Sequence, residues 1–220
     1  MLAGHIGVAL AIGRTERRVN VGVFVAAALL LDFLLWLFIL LGAESVSIPP
    51  DFQVTRQVEF VFPYSHGLLA AAGWSAAGGV LAFLAFPRAQ QRWRIGGLVA
   101  AAAFSHWLLD VLVHKPELPL AGSASPQVGL GLWNNLPVAL GVETAIVVAG
   151  ICLFVPRCGL PRSRSVALVV LSLAMLALTV FGMTIAPPAP SAFAMAFSSL
   201  LTLVAVTALV MWLGRLAGRS

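Results

Sequence analysis

The sequence predicts an all-α, polytopic membrane helix bundle with about six transmembrane helices and an extra N-terminal half-span helix. Two observations support this prediction. Hydrophobic residues make up 60% of the 220-residue chain and charged residues only 10%, whereas a soluble domain carries about 25% charged residues. Six segments also supply the roughly 20 apolar residues that a helix needs to cross a bilayer. We therefore expect one integral membrane domain comprising residues 1–220.

The predicted helices follow one another closely along the chain. Residues 2–13 are apolar but too few to cross a bilayer, so they predict the half-span or interfacial helix. The final two spans, within 166–214, contain no ionisable residue, which indicates packing or lipid contact. Any chemistry must then come from residues 1–155. The six predicted spans are 19–42, 66–86, 95–114, 132–155, 166–186 and 192–214.

Positive charge is divided unevenly between the two sets of loops. Eleven arginines fall on one side of the six-span arrangement, and only Arg56 and Lys115 fall on the other. The positive-inside rule therefore predicts a multi-pass protein of the inner (cytoplasmic) membrane, with its arginine-rich loops and C-terminus in the cytoplasm. Because the basic residues are spread over short loops, the net charge of +5 does not indicate a nucleic-acid partner. The eleven arginines are Arg14, Arg17, Arg18, Arg88, Arg92, Arg94, Arg157, Arg162, Arg164, Arg215 and Arg219.

A polar stripe interrupts the third predicted span. His106, Asp110 and His114 are spaced four residues apart in an otherwise apolar segment. Residues four apart lie on one face of a helix, so the three side chains share a face. Ionisable groups inside a membrane segment are costly, and they indicate pairing, ion binding or a wet cavity.

Other segments carry similar groups to a similar depth. At about 1.5 Å per residue from the arginine-rich side, His5, Asp32, His106, Asp110 and Glu143 all lie about 12–22 Å into their helices. Imidazole and carboxylate without lysine or arginine at that depth are the ligands of a divalent metal, with zinc favoured and manganese or iron as alternatives. Alternatively, one or more of the carboxylates stays protonated because it is desolvated.

Two histidines at the outer edge have a second interpretation each. His66 lies at the outer mouth of its span, where it serves either as a ligand or as a helix-entry residue bonded to backbone. His114 ends its span, where it serves either as a general acid or base or as a helix cap. Glu143 also has two possible roles: catalysis, or a hydrogen bond to a buried Asn134 or Trp133. His5 could equally be an interfacial residue.

Four short motifs resemble a known family. They are Ala-Gly-His5, the intramembrane Asp32, Tyr-Ser-His66-Gly, and Ser-His106-Trp-Leu-Leu-Asp110, all within the first 115 residues. Together they resemble the YdjM-like inner-membrane proteins, which are classed as predicted metal-dependent hydrolases. The order of these motifs is also similar to that of the zinc-dependent phospholipase C and single-strand nuclease superfamily, whose members bind a zinc cluster on a helical fold and cleave phosphodiesters.

This resemblance implies a set of metal ligands. Asp32, His66, His106 and Asp110 would hold one metal, and His5, with Asp110 bridging, would help to hold a second. The chain lacks the later histidine and His-x-x-x-Asp ligands that complete a three-metal site in the superfamily. Only His114 and Glu143 remain as substitutes, so one or two metal ions are expected.

These observations lead to three hypotheses of function. The first is a metal-dependent hydrolase that acts on a lipid phosphoester or an acyl lipid, with Glu143 or His114 as general base or acid. The second is transport of protons or a divalent cation. The third is a non-catalytic membrane scaffold with a structural metal. The expected partner is membrane lipid, and the oligomeric state stays open.

Overall fold

The computed structural model describes residues 1–215, which form nine α-helices and four very short strands. Five helices are long and apolar enough to cross a membrane, and one bent pair supplies a sixth span. The predicted all-α membrane bundle is therefore confirmed. The helices are α1 (Leu2–Gly13), α2 (Val21–Ala28), α3 (Leu30–Leu40), α4 (Phe52–Thr55), α5 (Leu68–Ala85), α6 (Arg92–Val113), α7 (Leu136–Phe154), α8 (Arg162–Thr184) and α9 (Ala192–Leu213).

The short first helix lies inside the bundle. α1 has 12 residues, which gives it a length of roughly 18 Å, so it cannot cross a membrane alone. It packs mainly against α7, and also against α2, α8 and α6. Its apolar side chains, such as Ala3, Ile6 and Leu10, are buried. The helix is thus buried in the bundle along its whole length.

The first predicted span, 19–42, is not one continuous helix. It breaks at Leu29 into α2 and α3, whose axes differ by 49°. Leu29 has φ −98° and ψ 3°, outside the helical region, although no proline or glycine lies at the break. The Ala28 carbonyl oxygen lies 2.7 Å from Nδ1 of His106. A side chain that inserts into the backbone hydrogen-bond ladder is a known cause of such kinks.

The arginine-rich loops meet at one end of the bundle. Arg94 donates to the carbonyl oxygen of Thr15 at 2.8 Å, and Arg17 donates to that of Arg157 at 3.1 Å. These bonds join the α1–α2 loop to the start of α6 and to the α7–α8 loop. The structure thus groups these loops as the charge pattern predicts, with Arg219 outside the described residues. That this end faces the cytoplasm stays a prediction.

Two small antiparallel hairpins cover the opposite end. In the first, β1 (Ser45–Ser47) pairs with β2 (Glu59–Val61); in the second, β3 (Leu118–Pro119) pairs with β4 (Gln127–Val128). Lys115 belongs to this end and lies 3.6 Å from a carboxylate oxygen of Glu59. The first hairpin and the residue that follows it supply aromatic side chains to the bundle, among them the buried Phe62.

The last two helices differ in how they pack. α9 lies against α3 and α2, whereas α8 touches its neighbours over a small part of its length. Only Leu168 and Ser172 of α8 are buried. The packing or lipid-contact role of 166–214 stays a prediction, and residues of α9 also line the cavity described below.

Two glycines set the distance between α1 and α7. A Cβ atom on Gly7 would lie 2.7 Å from the carbonyl oxygen of Ile146, and a Cβ atom on Gly150 would overlap the backbone of Gly7. Small residues allow this close approach between membrane helices. The approach matters because α1 carries His5.

We expect Gly150→Ala to destabilise the protein by about 1–3 kcal/mol, because the added methyl group must push α1 away from α7. The measurement is the melting temperature of the detergent-purified protein. Gly141→Ala is the matched control on the same helix, since its Cβ atom would meet no other atom within 4 Å. Equal melting temperatures for the two variants would contradict the role of this contact.

Candidate metal centre

Three histidines and two aspartates from separate parts of the chain meet inside the bundle. α1 carries His5, α3 carries Asp32 just beyond the bend, and α6 carries both His106 and Asp110. His66 lies in the turn that precedes α5. All five residues predicted as metal ligands are thus brought together. We call them the histidine–aspartate cluster: His5, Asp32, His66, His106 and Asp110.

The most compact part of the cluster joins three buried side chains. The Nε2 atoms of His66 and His106 lie 3.2 Å apart. Oδ2 of Asp110 lies 3.3 Å from Nε2 of His66 and 3.1 Å from Nε2 of His106. His106 and Asp110 are neighbours because they are four residues apart on α6. These three atoms form a triangle with nearly equal sides.

Asp32 lies beside the two histidines of this triangle. Its Oδ1 atom lies 3.6 Å from Nε2 of His106 and 3.8 Å from Nε2 of His66. The Asp32 side chain is 21% exposed, whereas the side chains of His66 and His106 are exposed by 3% or less. Asp32 is therefore the cluster residue that is most open to the adjoining space.

His5 approaches from the other side of Asp110. Its Nε2 atom lies 3.3 Å from Oδ1 of Asp110, and its ring stacks on the His106 ring at a centroid distance of 3.7 Å. Both ring nitrogens of His5 and Oδ1 of Asp110 are buried without a hydrogen-bond partner among the described residues. Buried polar atoms are nearly always satisfied. A cation held between Nε2 of His5 and Oδ1 of Asp110 would satisfy both of these atoms.

The bend between α2 and α3 fixes the tautomer of His106. Nδ1 of His106 lies 2.7 Å from the Ala28 carbonyl oxygen, which can only accept a hydrogen bond. In neutral His106, Nδ1 therefore carries the proton and Nε2 carries the lone pair. A metal-binding histidine is commonly oriented in this way by a backbone carbonyl.

A chain of two hydrogen bonds fixes the tautomer of His66. The Ser65 hydroxyl lies 2.7 Å from Oε2 of Glu44 and 2.8 Å from Nδ1 of His66. Because the hydroxyl donates its one proton to the Glu44 carboxylate, it must accept from Nδ1–H of His66. The lone pair of neutral His66 is then on Nε2. Both lone pairs therefore point into the cluster.

Glu44 is a functional candidate that the sequence alone does not reveal. Its Oε1 atom also accepts the backbone N–H groups of Tyr64 and Ser65, each at 2.8 Å. Burial raises the pKa of Glu44, and the bonds from Ser65 and Tyr64 oppose that rise. Ser65 was visible as the hydroxyl neighbour of His66, but Glu44 lies 21 residues away from Ser65.

A divalent metal fits this set of residues. With the assigned tautomers, two lone pairs and a carboxylate oxygen face one another with no proton between them. The 3.1–3.3 Å separations within this triangle match the roughly 3.3 Å between ligand atoms of a tetrahedral zinc ion. Two overlapping groups have the spacing of metal ligands: His66, His106 and Asp110; and His5, Asp32 and His106.

His114 lies outside both ligand groups. Its Nδ1 atom lies 2.6 Å from Oε1 of Glu117, and its ring packs against Trp133 at a centroid distance of 4.3 Å. His114 is the C-cap residue of α6, and its backbone N–H donates to the Asp110 carbonyl oxygen. The side chain nevertheless lines a cavity, so its predicted catalytic role stays a prediction. Glu117 is a partner that the sequence did not indicate.

Glu143 also lies outside both ligand groups. It is 1% exposed, and its Oε1 atom accepts the backbone N–H of Gly4 at 3.1 Å. This bond satisfies one of the free N–H groups in the first turn of α1. Asn134, by contrast, bonds to Gln57 at 3.2 Å. The structure thus shows Glu143 holding the helix that carries His5, and its predicted catalytic role stays a prediction.

A cavity of about 320 Å³ adjoins the cluster. Asp32, His66 and Asp110 line its inner part, and His114 and Trp133 lie toward the hairpin end of the bundle. Three residues of α9, a helix for which the sequence predicts packing or lipid contact, also line the cavity: Ser198, Ser199 and Thr202. The hydroxyl groups of Ser198 and Thr202 donate to carbonyl oxygens of their own helix.

Comparisons with known proteins gave no relative. No family model, no curated protein and no solved structure matches the chain.

We expect Ser65→Ala to weaken zinc binding about 10- to 100-fold, because His66 would lose the acceptor that fixes its tautomer. Zinc affinity is measured by competition with a chromophoric chelator. Ser75→Ala is the matched control, since Ser75 is a buried serine whose hydroxyl has no hydrogen-bond partner among the described residues. An unchanged affinity in Ser65→Ala would show that the hydrogen-bond chain does not orient His66.

Proposed function

We propose that this protein is a membrane-embedded metal-dependent hydrolase that acts on a lipid phosphoester or a related lipid substrate. The observation that supports this most strongly is the opening of the cluster onto the cavity through Asp32, His66 and Asp110. Structural zinc sites are closed by four protein ligands, whereas catalytic sites keep a position open. An open cluster therefore favours catalysis over the scaffold with a structural metal.

The chain's residues would divide the work of holding the metal. His66, His106 and Asp110 would hold one ion, for which zinc is the first candidate and manganese or iron are alternatives. Asp32, whose Oδ1 atom lies farther from the two histidines, would face the position that stays open to the cavity. His5 would help to hold a second ion together with the Oδ1 atom of Asp110. When bound, the metal supplies Lewis-acid activation of water and of a phosphoryl or acyl oxygen.

The cavity walls favour a substrate with both polar and apolar parts. Leu35 of α3, Leu178 of α8 and Leu203 of α9 line the cavity, as does Trp36. Ser198, Ser199 and Thr202 of α9 line the same cavity as Asp32 and Asp110 of the cluster. A lipid head group and the first carbons of its chains have this mixture of surfaces. Because α8 and α9 are span-forming helices, a lipid could reach the cavity from the membrane.

The resemblance to the YdjM-like proteins supports the same proposal. The motifs that carry this resemblance supply all five residues of the histidine–aspartate cluster. Membership of that family is part of the proposal. So are location in the inner membrane and a site in its outer half, which the arginine asymmetry supports.

The packing below the cluster argues against the transport alternative. Between the cluster and the arginine-rich end, α2 and α6 contribute Phe24, Val25 and Ala102, all fully buried. An ion or proton that crossed the bundle would need polar groups along this stretch. The cluster is thus approached from one side within the described residues.

We expect the purified wild-type protein to carry one or two equivalents of zinc, and His106→Ala and Asp110→Ala to lose it. Each substitution removes a ligand from the most compact part of the cluster. Elemental analysis after chelator-free purification in detergent gives the stoichiometry. Asp51→Ala is the matched control, since Asp51 is an exposed acid that makes no side-chain cap hydrogen bond. Absence of stoichiometric metal from the wild type would overturn the hydrolase proposal.

We expect His114→Gln to retain the metal but to slow phospholipid hydrolysis about 10²- to 10⁴-fold, as for loss of a general acid or base. His114 can act in this way because it lines the cavity without belonging to a ligand group. The assay follows release of the phosphorylated head group from mixed micelles. Glu143→Gln is run in parallel, because glutamine keeps the oxygen that accepts from Gly4. Slowing in Glu143→Gln alone would assign the proton transfer to Glu143.

A further inference from the structure

A second cavity, of about 460 Å³, lies at the arginine-rich end of the bundle, away from the histidine–aspartate cluster. The α1–α2 loop contributes Glu16, Arg17 and Arg18 to its lining, and the start of α6 contributes Arg94. Glu16 is the only acid among its described lining residues. Three arginines against one acid leave an excess of positive charge.

Arg94 is held in place from several sides. Its Nη2 atom donates to the carbonyl oxygen of Thr15 at 2.8 Å, and its Nη1 atom donates to Oε1 of Gln91 at 3.1 Å. Nη1 also lies 3.8 Å from Oε2 of Glu16. The Arg94 side chain is still 42% exposed. Because its position is fixed before a ligand arrives, little side-chain entropy is lost on binding.

The other two arginines complete a group of donors. Arg17 uses Nη1 to bind the carbonyl oxygen of Arg157 at 3.1 Å, which leaves further N–H groups on its guanidinium. The Arg18 guanidinium makes no hydrogen bond or ion pair within residues 1–215, whereas its backbone N–H donates to Glu16 at 3.4 Å. A guanidinium presents a fork of donors that matches the oxygens of a phosphate group.

The neighbouring residues place this cavity at the level of lipid head groups. Trp93 directly precedes Arg94 and is 71% exposed on the outside of α6. Exposed tryptophans of membrane helices concentrate at the boundary between hydrocarbon and water. Basic pockets between membrane helices at this level are a known type of binding site for anionic head groups.

We propose that this second cavity binds the phosphate group of an anionic membrane lipid. Arg17, Arg18 and Arg94 supply the donors, and Glu16 positions Arg94. The proposal does not depend on the hydrolase activity, because no residue of the histidine–aspartate cluster takes part. The same three arginines would also recognise a soluble phosphate, so free phosphate is the alternative ligand.

Native mass spectrometry of the full-length protein in detergent tests this proposal. Phosphatidylglycerol is titrated against phosphatidylcholine, which carries the same phosphate but no net charge. We expect tighter binding of phosphatidylglycerol, and about 10- to 30-fold weaker binding in the Arg18→Gln/Arg94→Gln variant, from roughly 1 kcal/mol per arginine. The matched control is Arg88→Gln/Arg162→Gln, which removes the same charge at exposed positions outside the cavity.

Three further outcomes separate the alternatives. Equal binding of the two lipids, or equal weakening in both double variants, would overturn the proposal in favour of unspecific attraction. Inorganic phosphate is added in a second series, with the melting temperature as the readout. Stabilisation by phosphate that the Arg18→Gln/Arg94→Gln variant loses, without preferential lipid binding, would support phosphate recognition and overturn the lipid as its source. Arg18→Gln alone guards against misfolding, since its guanidinium makes no hydrogen bond or ion pair within residues 1–215.

Discussion

A buried aspartate, Asp110, and a partly buried one, Asp32, impose the main constraint on this structure, because neither pairs with a lysine or arginine within residues 1–215. Asp110 lies among His5, His66 and His106, and the assigned tautomers turn histidine lone pairs toward it. Carboxylates and lone pairs that face one another inside a low-dielectric bundle repel unless a cation or protons lie between them. The helices around the cluster form the framework that holds these groups in place despite that repulsion.

The framework relies on backbone groups as much as on side chains. The bend at Leu29 releases the Ala28 carbonyl for His106, so a break in one helix orients a ligand on another. The turn before α5 is tied to Glu44 by its own N–H groups, which places Ser65 beside His66. Partners of this kind fix both the ring orientation and the tautomer of metal-binding histidines.

The sequence predicted what depends on composition and spacing, and it missed what depends on tertiary contacts. Ligand types, their similar depth and the shared face of His106 and Asp110 follow from helix geometry and span length. The break at Leu29 could not be predicted, because no proline or glycine marks it and the Ala28 carbonyl beside it contacts a histidine 78 residues away. The sequence predicts packing or lipid contact for α9 and does not reveal its place at the cavity, because an apolar span that contains serine and threonine looks the same whether these residues face lipid or a cavity.

The interior of the bundle is open on one side of the cluster and closed on the other. Toward the hairpins, the cluster opens into a cavity with aromatic and hydroxyl-bearing walls. Toward the arginines, α2 and α6 close the interior with apolar side chains. A transporter must give its substrate access from both sides in turn, whereas an enzyme needs access from one side only. The closed apolar stretch offers no path for transport, but in the proposed hydrolase it would give His106 and Asp110 a packed apolar base that keeps them in position.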